Sequence, residues 1–362
     1  MLSTKENLKD LIRIDNPKQS RRGFLRLDKN ENIIGFNEEF IKKICAEITS
    51  DMITSYPETY ILYEKIAEWI GVSEDKIYIS AGSDAAIKSV FEVFIEQDDE
   101  VIILHPTYAM YYVYAQMFGA NLKKIGFDDN LNLDYRKIIS AITDNTKLIC
   151  IANPNSPTGT IIEENGILEI LRYTSKKEVL VLMDEAYYMF YPRTTVSHLG
   201  KFDNLVIIRS FTKACGLASA RLGFAVSNPY IIGCMKKVRP LYEVNSFSII
   251  LGCLLLEDEH VLKKNINLFF EGKEYLLSRL TDLHLKYYPT YANFVLIDME
   301  TPERAINIRD QLRERKILVK AGYEEFPLSQ CIRVTIGRQD LMRMFVDALE
   351  KIIQEQCDGD LK

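Results

Sequence analysis

Lys213 stands at the end of Arg209-Ser210-Phe211-Thr212-Lys213, between small hydroxyl residues and the apolar run 214–220, and Arg221 follows eight residues on. A lone lysine is usually solvated surface. One drawn into an apolar setting beside other cations becomes an amine nucleophile toward carbonyls, and the flanking residues here favour a lysine directed into a site. Asp184-Glu185-Ala186-Tyr187 puts a carboxylate and a phenol directly after an apolar run, where neither has an evident packing role; a buried Asp needs a cationic partner. Ser80-Ala81-Gly82-Ser83-Asp84 opens a helix. Gly82 lets the backbone turn, and the free N–H groups of the helix start can hold a phosphate. A plain N-cap by Ser83 or Asp84 explains that string equally well. The turns His105-Pro106-Thr107-Tyr108 and 153–159 also follow apolar runs, and both read equally as simple loops.

These groups need elements to position them. Apolar, β-branched runs at 76–80, 101–104, 148–152, 179–183, 205–208 and 223–226 read as strands buried on both faces. Amphipathic segments such as 85–94 and 167–175 lie between them, and strand–helix–strand order builds a parallel sheet with right-handed crossovers. Open sheets of that kind bind ligands at the carboxyl ends of their strands, where the chemical groups above fall. The expected fold is therefore α/β: a large domain, 35–255, with a mostly parallel central sheet flanked by helices. After it the pattern changes to a long charged helix, 257–280, then strands at 293–298 and 332–336 separated by a helix at 304–314, which makes 256–362 a smaller α+β domain. Residues 1–34, polar and broken by Pro17 and Gly23, are expected to form an arm joining the small domain or a neighbouring subunit.

The 362 residues, 47% hydrophobic, suffice for a sizeable core, and a net charge of -6 argues against a nucleic-acid partner. The charged start does not read as a secretory signal, and the longest nearly apolar run, 247–256, is too short to span a bilayer and reads as a buried helix. The seven cysteines include no CxxC pair and the four histidines are scattered singly, so a reduced, cytoplasmic setting without a metal site is expected. No GxGxxG follows any strand candidate, which disfavours a nicotinamide dehydrogenase.

Taken together, SFTKACGLASARLGF, DEAY, NPNSPTG and HPTY resemble the class I/II pyridoxal-phosphate aminotransferases of fold type I. The early DKNEN and SYPE, the turn SAGSDAAI, and the late ANFVLI and CIRVTIG are most similar to histidinol-phosphate aminotransferases over nearly the whole chain. The resemblance implies that Lys213 holds pyridoxal 5'-phosphate as a Schiff base and acts as general base, that Asp184 hydrogen-bonds the pyridinium nitrogen, that Tyr187 donates to the phenolic oxygen, and that Tyr108 stacks on the ring. Core packing is the alternative for both tyrosines. It further implies a phosphate site made by Gly82, Ser83, Asp84, Ser210, Thr212 and Arg221, completed by Tyr56 from the other subunit of a homodimer. Arg333 would bind the substrate's acidic group, with Lys320 and Asn30 also on the substrate side.

Three departures stand out. Ser156 occupies the place of the asparagine that usually precedes Pro-Thr-Gly, so that Asn155 or Asn153 is expected to take over; Lys320 replaces an arginine usual thirteen residues before Arg333; and no tyrosine precedes Tyr56. The function this implies is amino transfer between glutamate and a small phosphorylated ketone, best matched by imidazole acetol phosphate. The alternatives are another ketone phosphate, such as dihydroxyacetone phosphate, or decarboxylation of a phosphorylated amino acid on the same scaffold.

Overall fold

The structure is a computed structural model that describes residues 3–13 and 20–359. Seven strands form one sheet: β1 (Ile77–Ser80), β2 (Glu100–His105), β3 (Asn121–Gly126), β4 (Thr146–Ala152), β5 (Leu180–Asp184), β6 (Leu205–Ser210) and β7 (Gly223–Val226), in spatial order β1-β7-β6-β5-β4-β2-β3. β2 to β6 pair in parallel wherever they are adjacent, while β7 runs antiparallel to both β1 and β6. This is the mostly parallel α/β sheet expected. Successive side chains feed opposite faces: Ile102, Ile149, Val181 and Ile207 enter one apolar layer, Val101, Leu148, Leu182 and Val206 the other.

Both layers are roofed by helices. α1 (Ser83–Phe94) and α2 (Met110–Phe118) bury Ile87, Phe91 and Tyr111 on one face; α3 (Glu164–Thr174) and α4 (Ser246–Glu257) bury Ile170 and Ile249 on the other. α4 is the buried apolar helix read from the sequence, and the Asn245 side chain caps it by accepting from Ser248 N–H. The long helix expected from 257 in fact starts later: Asp258 leaves helical geometry (φ -112°, ψ 68°), and α5 runs from Glu259 to Asp282. The edge strand β3 has no counterpart in the sequence reading. Its Lys123 pairs with Glu100 at 2.8 Å and its surface is mostly open to water, so it lacks the continuous apolar run of the central strands.

The C-terminal lobe sets α5, α6 (Pro302–Glu314) and α7 (Gln339–Gly359) around an antiparallel pair, β8 (Phe294–Asp298) and β9 (Cys331–Thr335). Its core joins Phe269, Leu276, Val295, Ile308, Val334 and Phe345, and extends to Tyr187 and Ala214 beside the candidate chemical groups. α5 approaches the end of β9 at backbone distance: a Cβ on Gly272 would lie 1.8 Å from the Gly337 carbonyl oxygen, so only glycine fits. The N-terminal segment joins this lobe, with Leu25–Arg26 pairing in parallel with Ile317–Leu318. Among the described residues no helix is long and apolar enough to cross a membrane.

Candidate active site

The carboxyl ends of β4, β5 and β6 open into a cavity of about 620 Å³ whose walls include Asp184, Tyr187, Ser210, Thr212, Lys213 and Arg221. Asp184, the last residue of β5, is 5% exposed. It accepts from the Tyr111 hydroxyl at 2.9 Å and from Ala186 N–H at 2.9 Å. Burial pushes its carboxyl up to about 6, against those two hydrogen bonds and the charge of Lys213, all of which favour ionisation. A cation placed against it would offset the burial and bring the value back down. Tyr111 went unnoticed in the sequence. Its signal is its position on the first turn of α2, three residues after Tyr108, with which it makes an edge contact at 5.8 Å.

Lys213 lies on the loop after β6, its ammonium 5.5 Å from the centre of the Tyr187 ring and 3.4 Å from the Lys29 carbonyl. The DKNEN segment clamps this loop: Asn32 donates to Ala214 C=O at 3.0 Å, and Asn30 donates to the Tyr187 hydroxyl at 2.9 Å. Burial opposes ionisation of Tyr187, but Lys213, Arg333 and hydrogen bonds from Asn30 and Ser156 outweigh it and hold the phenol below its usual range.

At the far end of the cavity, α1 begins at Gly82 (φ 85°) with no side chain capping it. Ser83 and Asp84 are therefore not N-caps, and the first N–H groups of the helix stay available to an anion. Arg221 reaches over this turn: a Cβ on Gly82 would lie 2.8 Å from an Arg221 guanidinium nitrogen. Gly223 is equally constrained, since its Cβ would fall 2.3 Å from Ser83 N. Tyr108 borders the cavity and its hydroxyl faces Asp84 at 3.5 Å.

Ser156 lines the cavity, whereas Asn155 does not. The expectation that Asn155 or Asn153 replaces the usual asparagine is therefore corrected: Asn155 is committed to Thr107, Pro106 and Thr158, and Asn153 to both backbone groups of Ile162. Tyr56 is likewise outside the cavity. It is 76% exposed, stacked on Tyr242 at 4.6 Å, and borders a neighbouring cleft of about 470 Å³ that shares Arg221 with the cavity.

The C-terminal lobe supplies the mouth. Lys320 and Arg333 exchange backbone hydrogen bonds of 3.1 and 2.7 Å, so two cations stand abreast. Burial, then Arg333 and Arg309, lower the Lys320 ammonium below its usual range. Arg333 Nη2 donates to Asp28 C=O at 2.8 Å, but among the described residues its buried Nε has no partner, nor has the buried hydroxyl of Tyr323, a residue not singled out in the sequence. His105, at the end of β2, meets Glu325 of the C-terminal lobe at 2.7 Å.

A family model for aminotransferases of class I and II matches residues 24–349. The chain belongs to that family. The aminotransferase is 31% identical over 332 residues to a histidinol-phosphate aminotransferase of Caldanaerobacter subterraneus subsp. tengcongensis, covering 91% of this chain and 93% of the relative. Identity to a histidinol-phosphate aminotransferase of Clostridium novyi is 32% over 320 residues, 87% and 88% of the two chains. The fold matches that of the histidinol-phosphate aminotransferase of Sinorhizobium meliloti in complex with pyridoxal-5'-phosphate, with a TM-score of 0.84 at 24% identity over 92% and 91% of the chains. The enzyme is thus a pyridoxal-phosphate-dependent transaminase. Its cavity fits that cofactor: a buried carboxylate with no ion-pair partner among the described residues, a lysine amine on the same cavity wall, and an uncapped helix start beneath an arginine are complementary to a pyridine nitrogen, an aldehyde and a phosphate.

Proposed function

We propose that the enzyme moves an amino group between glutamate and a small phosphorylated ketone, with imidazole acetol phosphate as the acceptor. The observation that carries the acceptor class is the group of donors on the C-terminal lobe. Arg333 Nε and the Tyr323 hydroxyl are buried without acceptors, and Lys320 has no carboxylate within ion-pair distance among the described residues. Buried donors in that state call for an anion. The two sequence relatives named above, both histidinol-phosphate aminotransferases, point to histidinol phosphate as the amine, and imidazole acetol phosphate is its ketone.

Pyridoxal phosphate, when bound, supplies a carbonyl that condenses with amines and a protonated ring that accepts an electron pair. Lys213 anchors it and, once released, carries the proton to and from the substrate carbon. Asp184 keeps the ring nitrogen protonated, Tyr187 donates to the phenolic oxygen, and Tyr108 covers one ring face. Ser210, Thr212, Arg221 and the start of α1 hold the phosphate. Arg333 binds the substrate's acidic group, the planar fork suiting a carboxylate or phosphate better than the point charge of Lys320. Exposed Ile53, Tyr56, Leu241, Tyr242 and Phe247 form the face on which a second copy seats and Tyr56 reaches the phosphate.

The test is a visible absorbance spectrum before and after glutamate, with Lys213→Ala as control, followed by turnover of imidazole acetol phosphate, dihydroxyacetone phosphate and phenylpyruvate. The expected result is a glutamate-dependent band change in the wild type alone and preferred turnover of the first ketone. A wild-type protein that binds no cofactor overturns the mechanism; absence of turnover with imidazole acetol phosphate overturns the acceptor.

A further inference from the structure

Asn30 is 2% exposed and stands in the left-handed backbone region at φ 55°. Each of its polar atoms makes a hydrogen bond. Its backbone N–H donates to the Thr335 hydroxyl at 3.0 Å, and its carbonyl accepts from Asn293 Nδ2 at 3.2 Å. The Thr335 hydroxyl turns its own proton toward Asn30 Oδ1 at 3.5 Å, which leaves Nδ2 as the end that faces Tyr187. One N–H of Nδ2 is spent on Tyr187, and the second is left on a side chain that borders the cavity.

Its partners lie on two bodies. Tyr187 follows β5 of the large sheet, whereas Thr335 ends β9 and Asn293 precedes β8 in the C-terminal lobe. Arg333 is two residues from Thr335 on the same strand. A phenol whose oxygen accepts an amide N–H must point its own proton elsewhere, and here the open direction is the cavity.

We infer that Asn30 is a positioning residue for Tyr187: it turns the phenol proton into the cavity and makes that orientation depend on the strand carrying Arg333. This rests on the reading of Tyr187 as a cofactor contact. Ser156 borders the same cavity, and the Asn30 amide is a donor to the phenol at the site that lacks an asparagine at 156. Capture of an acidic group at Arg333 is thereby transmitted to the phenol through Thr335 and Asn30. The network gives the site a direct link between substrate anchoring and proton placement.

Ultraviolet titration of tyrosine ionisation in the cofactor-free protein tests the pair, with Tyr187→Phe identifying the component that belongs to Tyr187. Asn30→Gly and Asn30→Asp both tolerate the left-handed backbone. The Tyr187 midpoint is expected to rise by about one pH unit in Asn30→Gly, the worth of one hydrogen bond, and further in Asn30→Asp, whose carboxylate faces the phenol. Thr335→Val, which leaves Asn30 in place but removes its hold, raises the midpoint by less. In the cofactor-loaded protein the midpoint of the visible band moves up in the same order. Unchanged midpoints in Asn30→Gly and Asn30→Asp overturn the inference. Failure of the wild type to bind cofactor overturns the proposed function instead, and the tyrosine titration still decides the role of Asn30.

Discussion

A carboxyl group placed as deeply as that of Asp184 is a burden until a cation stands opposite it. Its titration point of about 6 lies above the unfolded value of about 4. The folded protein therefore holds more protons than the unfolded chain between those two values, and stability falls as pH rises through that window. Two units correspond to about 3 kcal/mol at neutral pH. In the cofactor-free protein Asp184→Asn should thus be more stable than the wild type at pH 7 to 8, with the difference shrinking toward pH 4, as melting temperatures across that range would show. A protonated ring nitrogen removes the burden in the wild type, so cofactor binding should close the gap. An Asn variant that is no more stable at neutral pH would show that water reaches the carboxylate.

At the scale of elements, the phosphate end depends on how closely β7 passes the start of α1. Gly223→Ala must push Ser83 N away from its place, and an overpacked contact of this kind costs about 1–3 kcal/mol. The expected outcome is cofactor affinity weakened by roughly tenfold or more at the upper part of that range, read by equilibrium dialysis, with the band of any loaded fraction unchanged. The sequence carried these elements well where one environment acts along a whole run. β4, β5 and β6 are buried on both faces and advertise themselves as unbroken apolar stretches, and the chemical residues sit directly after them. β3 did not show because an edge strand with Lys123 and Lys124 satisfies half its surface with water. The break at Asp258 did not show because its neighbours on both sides are helical in character. Partnerships across the chain were the least visible: nothing local in Asn30, Tyr111 or Tyr323 says that the first meets Tyr187, the second Asp184, and the third only other donors.

At the scale of the whole molecule, the large sheet and the C-terminal lobe share one cavity, with the Asp258 break between α4 and α5 leading into that lobe and His105 of β2 meeting its Glu325. Glu325 is about half exposed, so the pair contributes under about 1 kcal/mol. Glu325→Gln is expected to raise KM for the acceptor by about threefold with little change in melting temperature, which steady-state kinetics would measure. An unchanged KM would mean that acceptor binding does not depend on this contact. The glycine pair at the back has a wider consequence. With Gly272 pressed on the Gly337 carbonyl, α5 and the end of β9 share a fulcrum that leaves no slack between them. Gly272 stands fourteen residues, roughly 21 Å, along the helix from Asp258. A tilt of only about 5° at that joint would carry the contact through roughly 1.8 Å, so Arg333, four residues before Gly337, would be steered like the tip of a lever whose handle is the Asp258 break.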